Sequence, residues 1–201
     1  MRTPTNLNDL IEKFQRESQN PTEKPKIGIL MGSKSDIPIM KGAAEALTNL
    51  GFKEFTGKPT GENFSFETHI ISAHRIPDLL YAYASTAAKR GIEVIIAGAG
   101  SKAAHLAGVC ASIAYPIPTI GVPIHEESIG SVIGMPKGAP ILTVDSASSY
   151  NAGLSAVQIL SCKYPELIEG LLELHSQRQE SVVSASIELH KQGLSSHLNE
   201  S

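Results

Sequence analysis

Between Lys26 and Ser161 the chain repeats one arrangement, a short and nearly continuous run of apolar residues followed by a stretch with helical spacing. "KIGILMG" closes on Gly32 and leads into "DIPIMKGAAEALTNL", residues 36–50, which stops at Gly51. "FETHIIS" precedes "PDLLYAYASTAAKRG", "EVIIAGAG" precedes "KAAHLAGVCASIA", and "APILTV" precedes "SYNAGLSAVQILS", with "PTIGVPI" as a further strand between the last two pairs. A strand that is apolar at almost every position is buried on both faces, which a parallel sheet with a helical layer on each side provides. The expected fold is therefore α/β, three layers built on a five-stranded parallel sheet.

The flanks read differently. Leu7, Leu10, Ile11 and Phe14 have helical spacing until "NPTEKP" breaks it, so residues 1–25 form an extension made of a short docking helix and a linker. Residues 26–162 form the α/β domain, which includes the polar, Gly/Pro-bearing stretch "KEFTGKPTGENFS". Residues 163–201 form a tail whose long amphipathic helix starts at Pro165 and carries Leu167, Ile168, Leu171, Leu172 and Leu174. Such an apolar face needs a cover, and another subunit is a natural one.

Composition narrows the function classes. A formal charge of −3, 5% aromatic residues and no Trp supply neither the basic stripe nor the stacking platform of a nucleic-acid binder, so small ligands are the expected partners. No apolar run reaches the roughly 18 residues of a membrane span, and the first 25 residues lack the apolar core of a secretion signal, so a cytoplasmic location is expected. Cys110 and Cys162 both fall in helical segments without metal-ligand spacing and read as buried, reduced thiols.

In an open parallel sheet ligands bind beyond the carboxyl ends of the strands. Five loops lie there: "GSKSD", "SAHRIPD", "GAGSKAAHLAG", "PIHEES" and "DSASSYN". Ser33 and Asp36 open a helix whose free N–H groups favour an anion, but their S-x-x-D spacing is also that of a capping box. His74 and Arg75 join a group that titrates near neutrality to a fork that grips phosphate; as a solvated turn they would do neither. "GAGSKAAHLAG" lacks the third glycine of a dinucleotide site and instead lets a ligand lie close to the backbone. His105 lies one turn into the helix that follows, where packing or capping is the commoner role of a histidine. His125, Glu126 and Glu127 are adjacent and so cannot all point at one ion from a single turn; no metal is expected. The remaining histidines, 69, 175, 190 and 197, share no spacing with them, and Tyr150 and Asn151 read as a helix start that also has the option of lining the site. A receiver domain would need an aspartate at the end of the third long strand, where Gly98 stands.

In their order along the chain, "ILMGSKSD", "SAHRIPD", "VIIAGAG", "AAHLAG", "GVPI", "MPKGAP" and "NAG" resemble the carboxyaminoimidazole ribonucleotide mutase family, the PurE-like catalytic subunits of purine biosynthesis. The resemblance implies a flavodoxin-like fold, a homo-octamer with sites between subunits, and neither metal nor organic cofactor. It also implies the movement of a carboxyl group from the exocyclic nitrogen of an aminoimidazole ribonucleotide to a ring carbon, through released carbon dioxide. Carried over by position, Ser33, Asp36 and Ser72 contact the substrate, with Asp36 on the ribose hydroxyls and Arg75 on the phosphate. His74 carries the proton, and Gly100, Ser101 and His105 belong to the loop that holds carbon dioxide. The chain departs from the family pattern in an extra residue at Ser101 or Lys102, in Ala107, in Asp145, and in "HEESIGSVIG", which is shorter than the usual closing segment. From those departures comes a second expectation of a different class, a nucleotide-binding paralogue that keeps Ser33, Asp36 and Arg75 but has altered or no turnover.

Overall fold

The computed structural model describes residues 4–194; His197 and the outermost ends of the expected N-terminal extension and C-terminal tail lie outside them. Its strands are β1 (Ile27–Met31), β2 (Lys53–Glu54), β3 (Ser65–Ile70), β4 (Val94–Ala99), β5 (Thr119–Pro123) and β6 (Leu142–Thr143). Its helices are α1 (Leu7–Gln19), α2 (Ile37–Asn49), α3 (Pro77–Arg90), α4 (Leu106–Ala114), α5 (Ile129–Ile133), α6 (Ser149–Ser161) and α7 (Leu167–Gln192). The sheet is parallel throughout and runs β2-β3-β1-β4-β5-β6. With the short β2 set aside, that is the flavodoxin-like order, whose switch point lies between β1 and β4.

The sheet thus has six strands where five were expected. β2 is two exposed charged residues pairing with Ser65 and Phe66 at the sheet edge. Backbone pairing and a hydrogen bond from Thr68 Oγ1 to Glu54 hold this strand without any apolar pattern, and charge on an edge strand deters pairing with another chain.

Strand side chains alternate between the two faces and build two cores. Ile27, Ile29 and Met31 of β1, with Val94 and Ile96 of β4, pack against α2 and α6. Leu30, Ile95, Ala97 and Ala99 pack on the other face against α3 and α4, and Phe14 of α1 joins that core. Gly28 shows how tight this second face is. A Cβ there would stand 2.0 Å from the Tyr83 hydroxyl. Tyr83 has no room to yield, since it is fully buried, with the Phe14 ring 5.2 Å away and the Arg90 guanidinium 4.5 Å from its centroid. Gly28→Ala is expected to cost about 1–3 kcal/mol, read as a lowered urea midpoint with an unchanged slope.

The cysteines divide. Cys110 is buried, and burial pushes its thiol up to about 12, which makes it inert. Cys162 is exposed, contrary to expectation. The buried stripe of α6 runs through Ala152, Ala156, Val157 and Leu160, and Cys162, capping the helix, falls off it. No described helix is long and apolar enough to cross a membrane.

Candidate active site

Four loops at the carboxyl edge of the sheet enclose a cleft of about 510 Å³. The first follows β1. Gly32 leaves the sheet, and Asp36, almost fully buried, accepts hydrogen bonds from Ser33 N at 2.9 Å and from Ser35 Oγ at 3.3 Å. Ser33 Oγ in turn accepts from Ser35 N at 3.4 Å. The capping chemistry is therefore present, and it fixes both side chains at the wall of the cleft.

The second loop follows β3, where Ile71 N still donates to Met31 O and holds the chain beside β1. Arg75 bridges the first two loops. Its Nη2 donates to Gly32 O at 2.9 Å, and its Nε donates to Ser72 Oγ at 3.2 Å. Two of its five N–H donors are thereby committed to fixing the guanidinium, and among the described residues Nη1 has no partner.

The third loop follows β4. Ser101 adopts φ +66°, the left-handed region, which turns the chain sharply before α4 begins at Leu106. His105 is thus the residue capping α4 rather than one a full turn inside it, a correction to the expected helix start. The turn brings its ring edge-on to His74, with His74 Nε2 3.0 Å from His105 Nδ1 and the planes at 83°. One of these nitrogens donates and the other accepts, so His74 is oriented by its partner and its Nδ1 is the ring nitrogen left over.

The fourth loop follows β5, and its His125 ring lies 3.4 Å from where a Cβ on Gly100 would be. Ser128, fully buried, donates its N–H to His125 O and pins a one-turn helix over Glu126–Ser128. α5 follows, and Ser131 Oγ donates to Lys102 O, so the third and fourth loops are tied together.

Of the expected site residues, Ser33, Asp36, Ser72, His74, Arg75, Gly100 and Ser101 all line the cleft, and His105 stands behind His74. Tyr150 does not join them. Its ring lies under Arg178 and its hydroxyl accepts from Asn49, tying α6 to α7 and α2. Neither Tyr150 nor Asn151 lines the cleft. His125 and Glu127 do, although from the sequence they are weighed as metal ligands and as part of a shortened closing segment, and neither is assigned to the site. Their place in the loop after β5, at the same sheet edge as the others, was the available signal. Among the described residues no group of three or more His, Cys, Asp or Glu is placed to hold a metal ion.

Residues 26–181 match the family model described as AIR carboxylase. The chain is 41% identical to the N5-carboxyaminoimidazole ribonucleotide mutase of Thermotoga maritima over 88% of its own length and 98% of that protein. It is 42% identical to the Pyrococcus horikoshii protein of the same name over 89% of this chain and 97% of that one. It is also 37% identical to the chloroplastic phosphoribosylaminoimidazole carboxylase of Vigna aconitifolia, over 98% of this chain but 34% of that longer protein. Among solved structures, the Treponema denticola PurE crystal structure has the same fold, with a TM-score of 0.64 at 22% identity over 82% of this chain and 98% of that one.

Proposed function

Because the chain belongs to the AIR carboxylase family, we infer that it is a purine-biosynthesis enzyme that rearranges N5-carboxyaminoimidazole ribonucleotide into the ring-carboxylated isomer. The observation that carries this is the near full-length match to two proteins named for that reaction. Those names favour turnover over the binding-only paralogue. The test is conversion of the carboxyamino substrate by purified protein without bicarbonate; product formed only from aminoimidazole ribonucleotide plus bicarbonate would assign direct carboxylation instead.

In this proposal the phosphate sits on the free guanidinium edge of Arg75, Ser33 contacts the substrate beside it, and the ribose hydroxyls meet Asp36. Ser72 acts by holding Arg75. His74 performs the proton transfers. The exocyclic N–CO₂ bond breaks, its electron pair returns to nitrogen, and nitrogen takes a proton from His74, leaving an amine and carbon dioxide. The ring carbon then attacks carbon dioxide, and neutral His74 removes the proton from that carbon, restoring both the ring and the imidazolium. One proton is given and one taken, so a single imidazole serves both steps. His105 orients it, and the backbone at Gly100 and Ser101 offers carbon dioxide a small enclosure in which recapture outruns escape. No step calls for a metal or an organic cofactor.

A homo-oligomer, specifically an octamer, belongs to the same proposal, as does a cytoplasmic location. The oligomer is supported by α7, which buries only Leu167 and leaves Ile168, Leu172, Val182 and Val183 exposed along one helix. Light scattering is expected to give eight times the chain mass of 21.4 kDa; a monomer would remove the proposal.

A further inference from the structure

The polar side chains that line the cleft are not equally committed. The serines, Asp36, His74 and Arg75 each have a hydrogen-bond partner within the protein. Among the described residues, His125 and Glu127 are the two lining polar side chains for which no partner is seen. The turn that carries them is nonetheless firmly held. Glu126, between them, points away and accepts from Ser146 Oγ at 2.5 Å, and Ser128 is buried beneath. Of the two uncommitted groups, His125 lies against the Gly100 backbone, which leaves Glu127 as the charged one.

Unlike Asp36, which is hydrogen-bonded within its own loop, Glu127 is a carboxylate lining the cleft with no partner among the described residues, and it needs a reason. The ligand states of the inferred reaction differ at one atom. Before carbon dioxide leaves, the exocyclic nitrogen carries a negative carboxylate; afterwards it is an amine with two N–H donors. An ionised glutamate only accepts hydrogen bonds, so it attracts the amine and repels the carboxylated form.

We propose that Glu127 is a specificity-determining residue that recognises the free exocyclic amine of aminoimidazole ribonucleotide and disfavours its N-carboxylated form, thereby promoting loss of carbon dioxide and retaining the amine until recarboxylation. This rests on the activity inferred above. The departure of "HEESIGSVIG" from the family pattern is then a change in how the exocyclic nitrogen is read rather than the loss of a site.

The test is Glu127→Gln in the full-length protein, a near-isosteric change at an exposed position. Aminoimidazole ribonucleotide is expected to bind about three- to tenfold more weakly by calorimetry, the effect of one hydrogen bond. The KM for the carboxyamino substrate is expected to fall together with kcat, as when repulsion in the ground state is removed. If both ligands shift in the same direction, or neither shifts, in an enzyme whose unmutated form is active, this inference fails alone. If the unmutated protein does not convert carboxyaminoimidazole ribonucleotide, the activity and this inference fail together.

Discussion

His74→Asn is expected to lower turnover about 10²- to 10⁴-fold, the usual contribution of one positioned acid–base group, while nucleotide affinity stays within about threefold, since the loss removes transition-state rather than ground-state interactions. The separation follows from the geometry. Arg75 is held by Gly32 and Ser72, and Asp36 by Ser33 and Ser35, so neither anchor depends on His74. His74 is held instead by His105, which occupies Nε2. An asparagine amide keeps the hydrogen-bonding capacity but cannot hold and release a proton near neutral pH. Single-turnover kinetics beside calorimetry would read both halves. Full turnover would move proton transfer to another group, His125 being the other imidazole that lines the cleft. Parallel loss of affinity would mean that His74 binds substrate rather than moving protons.

Glu67→Ala is expected to destabilise the fold by about 3–5 kcal/mol, because it strands a buried charge. Glu67 on β3 and Arg90 in the last turn of α3 meet at 2.5 Å with both side chains 2% exposed. The guanidinium also lies 4.8 Å from the Phe14 ring centroid, so the pair anchors α1 as well. Replacing both partners with apolar residues of similar volume should recover much of the loss, which separates the stranded charge from lost packing.

The pair also sets the acid limit. Burial alone would push the Glu67 carboxyl up, but His69 and Arg90 beside it outweigh burial and hold it down at about 2. Glu93 is likewise held at about 2: burial opposes it, and the hydrogen bonds from Lys26, Tyr164 and Lys163 prevail. A carboxyl whose pKa is lower in the folded than in the unfolded chain stabilises the fold above its ordinary value of 4.5. That contribution is lost as pH falls from there toward 2. Glu17, pushed up chiefly by burial, works the other way and softens the loss. Urea midpoints measured across that range should fall with pH, and less steeply in Glu67→Ala.

The parallel sheet, its two helical layers and the loops at its carboxyl edge were legible because their signal is local. "KIGILMG" and "EVIIAGAG" are apolar at nearly every position, and α6 spans the residues its periodicity marks. β2 was illegible because its two charged, exposed residues join the sheet through backbone pairing and one side-chain hydrogen bond, from Thr68 Oγ1 to Glu54 Oε1, and bury nothing apolar. Glu67 and Arg90 stand in separate segments, one in a strand and one at a helix end before a glycine. Nothing within either segment shows that they close on each other.

The site divides along the same line. Its motifs were visible as short strings, and the resemblance they carry assigned seven of the residues that line the cleft. It did not assign His125 or Glu127, since they fall in "HEESIGSVIG", where the chain departs from the family pattern. Nor did it pair His74 with His105, 31 positions apart. Burial periodicity is written within ten or so residues of sequence, so the chain alone determined the layers and the edge where chemistry occurs. A hydrogen bond reaches only about 3 Å and its partners here come from loops after different strands. Which imidazole orients His74, and which carboxylate in the cleft remains uncommitted, was decided only when the parallel sheet set those loops side by side.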